Sequence, residues 1–192
     1  MFDKILNLNN NGYIFTKEIV KNNIPTIYLT RLVRQGLIKK VAAGVYILND
    51  YIEDELYINY LKNKDLIYTN NTALYLQNLT PKQLINYEVN FPYGKNTSKL
   101  DHFEYKVLRN KTLYNLGKEF ILTPMGNSVP CYDKERCICN LFLNNFCDDE
   151  VKSFAIREYK NYYLDIIKLY EYAKTLNIYK EVKNVFEVLL WD

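Results

Sequence analysis

The 192-residue sequence predicts an α+β fold in two parts, on three observations. Its first 48 residues read as three short helices followed by a β-hairpin. Its middle holds β-rich runs punctuated by glycine, and from Asp133 onward the apolar spacing is helical almost throughout. Apolar residues at 48% and charged residues at 24% give enough material for a real core and place no segment in the disordered class.

In the first part, Phe2, Ile5, Leu6 and Leu8 have a helical spacing that stops at the turn cluster Asn9-Asn10-Asn11-Gly12. Tyr13-Ile14-Phe15 is a short extended piece. Thr16 reads as an N-cap opening a second helix that ends near Asn22-Asn23. Pro25 suits the first position of a third helix over about 25–35, with Ile27, Leu29, Leu32 and Val33 as its apolar face and Gly36 as its stop. Leu37 to Val41 and Val45 to Leu48 are strand-like and joined by Ala42-Ala43-Gly44. This order of three helices and a hairpin is that of a winged helix-turn-helix, expected at residues 1–48.

Residues 49–192 are expected to form a mixed α/β domain with a helical C-terminal part. Tyr51 to Leu61 reads as a helix with Glu53, Asp54 and Glu55 in its first turn, where carboxylates favour the helix dipole. Thr69-Asn70-Asn71 precedes a helix over Thr72 to Leu79, which Pro81 helps to terminate. Strands are expected at Tyr87 to Phe91, Phe103 to Leu108, Phe120 to Leu122 and Val129 to Tyr132, with Gly94 and Met125-Gly126-Asn127 as turns, making a small mixed sheet. Asp133 reads as the N-cap of a helical tail with breaks near Cys147-Asp148-Asp149, Asn161 and Asn177. No low-complexity linker separates the parts, so the junction near Leu48 to Asp50 is short.

Charge is unevenly divided. Residues 1–48 carry seven basic side chains (Lys4, Lys17, Lys21, Arg31, Arg34, Lys39, Lys40) against two acids (Asp3, Glu18), whereas the remainder has 18 basic against 20 acidic. A basic N-terminal module on a slightly acidic body points to a polyanionic partner. The third helix suits the major groove of B-DNA. With its apolar face inward, Thr26, Tyr28, Thr30, Arg31, Arg34 and Gln35 are left outward to read double-stranded DNA. Lys39 and Lys40, before the hairpin tip, would hold the sugar-phosphate backbone.

Other classes find less support. No stretch approaches the roughly 18 to 20 apolar residues of a membrane span, and Met1-Phe2-Asp3-Lys4 does not read as a signal peptide, so the expected location is the cytoplasm. Cys131, Cys137, Cys139 and Cys147 fall in one segment with no pair at the gap of zinc ribbons, and His102 is the one histidine. The cysteines are therefore expected as free thiols packed as small hydrophobes, with no metal site and no cofactor. No nucleophile and base, carboxylate pair or phosphate loop is signalled. His102 reads as an exposed loop residue, and Tyr93-Gly94-Lys95-Asn96-Thr97-Ser98 lacks the full phosphate-loop pattern, so the chain is not expected to be an enzyme.

Three stretches carry a resemblance over most of the chain. They are Asn11-Gly12-Tyr13-Ile14 with Thr16-Lys17-Glu18 and then Leu37 through Tyr46; Thr72 through Thr80 followed by Tyr87 through Thr97; and Thr123-Pro124-Met125-Gly126-Asn127 with Tyr132 through Cys139. In these the chain resembles the AbiEi family of antitoxins of bacterial abortive-infection systems, in the type IV toxin-antitoxin class. The resemblance implies an N-terminal winged helix that represses its own operon by binding inverted repeats in the promoter. It also implies a C-terminal domain that neutralises a nucleotidyltransferase-like toxin without needing to bind it stably. One departure is that Asn140 follows Cys139 where family members often carry Asp.

Two rival classes are distinguishable. A protein-interaction module, such as a phage-borne antitoxin mimic, would show absent or salt-insensitive DNA binding. An enzyme acting on nucleic acid would need a cluster of carboxylates that the sequence does not advertise.

Overall fold

The computed structural model describes residues 1–95, 103–143 and 146–191, apart from the side chain of Trp191. The fold is α+β and comprises two compact units, residues 1–64 with 123–128, and residues 65–122 with 129–192.

The first unit runs α1 (Phe2–Leu6), β1 (Tyr13–Phe15), α2 (Thr16–Lys21), α3 (Ile27–Arg34), β2 (Ile38–Ala42), β3 (Val45–Leu48) and α4 (Glu55–Lys62). Its antiparallel sheet has the order β1-β3-β2, with Tyr13 opposite Ile47, Phe15 opposite Val45 and Ile38 opposite Leu48. Alternation along the strands sends side chains to two cores. On one face Ile14 and Ile38 join Ile5, Ile19, Leu29 and Leu32 from the three helices and Ile24 from the turn between α2 and α3. On the other, Tyr13, Ala42, Val45 and Ile47 pack with Ile58 and Leu61 of α4. Each fully buried aliphatic side chain contributes about 1.5–3 kcal/mol, so α4 belongs energetically to this unit. For that reason the first unit extends beyond the 1–48 read from the sequence.

Local details differ from the sequence reading in ways that capping explains. Thr16 is the first helical residue rather than the N-cap of α2. Its amide donates instead to the Gly44 carbonyl at 2.8 Å, tying α2 to the hairpin turn. α3 begins at Ile27, two residues after Pro25. α4 begins at Glu55, with Asp54 as an N-cap accepting from the Tyr57 amide, which leaves Tyr51 and Ile52 outside the helix. The turn before β1 needs glycine: Gly12 has φ +81°, and a Cβ there would collide with the Tyr51 ring.

The second unit contains β4 (Ile67–Tyr68), α5 (Asn70–Leu76), β5 (Tyr87–Pro92), β6 (Phe103–Leu108), α6 (Lys111–Asn115), β7 (Lys118–Leu122), β8 (Ser128–Tyr132), α7 (Lys134–Leu143), α8 (Asp149–Tyr162), α9 (Ile166–Thr175) and α10 (Tyr179–Trp191). The expected mixed sheet is present, in the order β6-β5-β4-β8-β7. β5 runs parallel to β6 and antiparallel to β4, and β4 runs parallel to β8, with Tyr68 opposite Cys131. The central β4 and the helix α6 were not anticipated. α5 spans Asn70–Leu76 rather than Thr72 to Leu79, and the left-handed Asn78, with φ of +58°, follows its end ahead of Pro81. Asp133 caps α7 as expected, accepting from the Arg136 amide at 2.9 Å. α8 runs through Asn161 and the chain breaks instead at Tyr163, with Asp165 capping α9. α7 packs against α5, α8, α9 and α10 and buries Cys137, Ile138, Cys139 and Leu141.

Candidate nucleic-acid interface

In α3 the apolar contact with the core is narrower than four apolar residues imply. Leu29 and Leu32 are buried, whereas Ile27 is 54% and Val33 38% exposed. At about 100° per residue, Leu29, Leu32 and Tyr28 span one side of the helix, and Ile27, Thr30, Arg31 and Arg34 lie together on the opposite side. The expectation that Ile27 and Val33 face inward is thereby corrected.

Of the eight residues expected to meet DNA, Thr26, Thr30, Arg31, Arg34, Gln35 and Lys40 are exposed. Thr26 precedes α3 and Gln35 follows it, and no acidic residue occurs within the helix. Tyr28 is half-buried rather than outward. Its ring packs edge-on against Phe2 at 5.9 Å between centroids, and the Arg31 guanidinium lies 5.2 Å from its centroid. Tyr28 therefore holds Arg31 by cation–π attraction, which restricts the arginine before any ligand arrives. Lys39 is half-buried, and its Nζ lies 2.7 Å from a carboxylate oxygen of Glu53. That pair offsets the charge of Lys39, whereas Lys40, also on β2, has no ion pair among the described residues. Lys17 and Lys21 on α2 are also exposed and enlarge the basic surface. Sequence reasoning counted them as charge without assigning them to the interface.

The other features weighed in the sequence resolve as follows. The four cysteines are free thiols. Cys131, Cys137 and Cys139 are buried, and burial pushes the thiols of all three up. Cys137 and Cys139 point apart, the first toward the Tyr132 carbonyl at 3.5 Å and the second toward the Leu169 carbonyl at 3.9 Å. Among the described residues no group of three or more His, Cys, Asp or Glu side chains is placed to hold a metal ion, and no helix is long and apolar enough to cross a membrane. His102 and residues 96–98 of the glycine-containing loop lie outside the described residues. Of that loop, Lys95 pairs with Asp65 at 3.1 Å.

The second unit has a cleft of about 490 Å³ that includes Glu88, Glu104 and Asp148 in its lining, a gathering of carboxylates that the sequence did not reveal. Each has a structural bond. Glu88 accepts from the Asn71 amide at the start of α5, Glu104 accepts from Asn86, and Asp148 caps α8 and meets Lys82 at 3.0 Å. Burial, with Glu104 nearby, pushes the Glu88 carboxyl up despite the Asn71 bond. Glu88 and Asp148 thus hold the starts of α5 and α8, and Glu104 ties β6 to Asn86.

The position that departs from the resembled family is built into this unit. Asn140 is buried, accepts from Arg136 Nε at 3.1 Å and donates to Thr69 Oγ1 at 3.1 Å.

No protein-family model matches the chain, and no curated protein matches it.

Proposed function

We propose that the first unit is a winged helix-turn-helix that binds double-stranded DNA, with α3 as the recognition helix and the β2–β3 hairpin as the wing. The observation that carries this reading is the acid-free outward side of α3, with Thr30, Arg31 and Arg34 exposed together and Arg31 held over Tyr28. Arginine at such a position bonds guanine edges or phosphates bidentately. On the resemblance described above, the chain is a cytoplasmic, non-enzymatic antitoxin that represses its own operon through inverted repeats and neutralises a nucleotidyltransferase-like toxin without a stable contact. The antitoxin half of this reading rests on that resemblance.

The test is binding of the protein to duplex DNA from upstream of its own gene, against a scrambled duplex, over a salt series. Specific binding should weaken with salt and fall at least about tenfold in an Arg31→Ala, Arg34→Ala variant. Lys40→Ala should lower the slope of log affinity against log salt by about 1, whereas Lys39→Ala should change it by less than half as much, because Glu53 already offsets that charge. Equal binding to both duplexes at low salt would refute the DNA reading. A protein-interaction module gains from one observation, the exposure of Val20, Val33 and Leu37, and binding insensitive to salt would favour it. Restoration of growth on co-expression with a toxic nucleotidyltransferase-like protein encoded beside it would support the antitoxin half.

A further inference from the structure

Ile27 opens α3 and is more than half exposed, yet it sits among Thr30, Arg31 and Arg34 on the side turned from the core. A β-branched apolar side chain in the middle of a cationic surface leaves more than half of its area outside the folded unit, where a partner that covers this surface would bury it. In the major groove the apolar group a base edge presents is the C5-methyl of thymine, and the N-terminal residues of a recognition helix are those that reach base edges. Ile27 occupies that end of α3, with Arg31 one turn further on. The abundance of Asn, Lys, Ile and Tyr in the chain resembles the codon bias of an AT-rich genome, in which thymine methyls are frequent.

We propose that Ile27 covers a thymine C5-methyl in the major groove and makes this surface prefer thymine at one position of each half-site. The inference rests on the DNA-binding reading and assigns its sequence preference. Arg31 and Arg34 supply the charge complementarity that selects a polyanion over a second copy of this basic unit as the occupant of the same surface.

The test uses the intact protein and the duplex from upstream of its own gene, prepared once with thymidine and once with deoxyuridine throughout. This exchange removes the methyl groups and keeps every hydrogen-bonding edge. The wild type should bind the deoxyuridine duplex about fourfold more weakly for each methyl covered. Ile27→Ala, whose exposed site leaves the core intact, should bind both duplexes alike. Equal wild-type affinity for the two, with preference over a scrambled duplex retained, would overturn the inference and leave the DNA reading standing. Full methyl sensitivity persisting in Ile27→Ala would overturn it too, by placing the methyl contact elsewhere. A variant that weakens equally on both duplexes while losing a second bound copy would assign Ile27 to a contact between copies, again overturning it. Failure of the wild type to prefer its thymidine duplex over the scrambled one would instead remove the DNA reading, and the inference with it.

Discussion

Replacing Asp54 with alanine is expected to destabilise the first unit by about 3 kcal/mol. Asp54 is 3% exposed and serves three groups at once. Its Oδ1 accepts from the Tyr57 amide as the N-cap of α4, and its Oδ2 accepts from Thr123 Oγ1 at 2.5 Å and from Asn127 Nδ2 at 2.8 Å. Its own amide donates to the Tyr13 hydroxyl at 3.1 Å. Loss of a cap costs about 1 kcal/mol. Each buried donor left without an acceptor costs about 1 kcal/mol or more, and Thr123 and Asn127 are both buried. Asn11 extends the same network, donating to Asn127 Oδ1 and to the Met125 carbonyl, so the bonds of Asp54 help fix residues 123–128 within this unit. Asp54→Asn should fall between, at about 2 kcal/mol, because it keeps the cap acceptor while turning an amide donor toward two donors. Urea unfolding followed by far-ultraviolet circular dichroism, with hydrogen exchange at α3 and β3, measures both. A loss under 1 kcal/mol for Asp54→Ala would show that the network contributes little.

The role of Asp54 also shows how far the sequence can be read. Glu53-Asp54-Glu55 reads as a run of acids favouring one helix dipole, yet the three have different fates. Glu53 pairs with Lys39, Asp54 caps and is buried, and Glu55 alone occupies the first turn of α4. Spacing within a segment cannot distinguish them, because Lys39, Thr123 and Asn127 come from other parts of the chain. The same limit applies to Lys39, which reads as a phosphate contact until its carboxylate partner is seen. The helix-helix-hairpin order was legible because each element carries its own punctuation, at Gly12, Asn22-Asn23, Gly36 and Gly44. On α3, Leu29 and Leu32 were legible as core, but Ile27 and Val33 were not separable from them, since apolar character alone does not show how wide an arc a helix buries. β4 escaped because its two residues are too short to display a period, although all four other strands of the sheet connect through it: β5 and β8 pair with it directly, β6 through β5 and β7 through β8. Arg31 and Arg34 were legible as a pair on one face, whereas the hold of Tyr28 on Arg31 required the structure.

Lys168→Met is expected to destabilise the second unit by about 2–3 kcal/mol at neutral pH and by much less in acid. Lys168 Nζ lies 3.0 Å from Asp133 Oδ2 and 2.7 Å from Glu135 Oε2, and both carboxylates are more than nine-tenths buried. The carboxylates have other bonds, from the Arg136 amide and Tyr172 hydroxyl to Asp133 and from the Tyr159 hydroxyl to Glu135, but Lys168 is the cation that meets both. Removing one partner from a buried ion cluster costs about 3–5 kcal/mol, and the partial exposure of Lys168 lowers that range. Burial raises the Asp133 carboxyl above its ordinary value of 3.8, the Arg136 amide and Lys168 pull it down, and Glu135 pushes it up. A carboxyl raised in the folded state favours folding most when protonated, so its contribution declines as pH rises from 3.8 through the raised value. Without Lys168 that value rises further, and the gap in stability between wild type and variant must widen from acid toward neutral pH. For Lys168 itself, burial disfavours the charge, but the bonds to Glu135 and Asp133 outweigh it and raise its pKa. Its stabilisation is present below the ordinary lysine value and disappears as pH rises through the folded one. Urea unfolding of both proteins at about pH 4, 7 and 9, with hydrogen exchange at α7 and α9, tests this. A difference that stays constant from pH 4 to 7 would mean that Lys168 acts by packing its alkyl chain rather than by neutralising two buried acids.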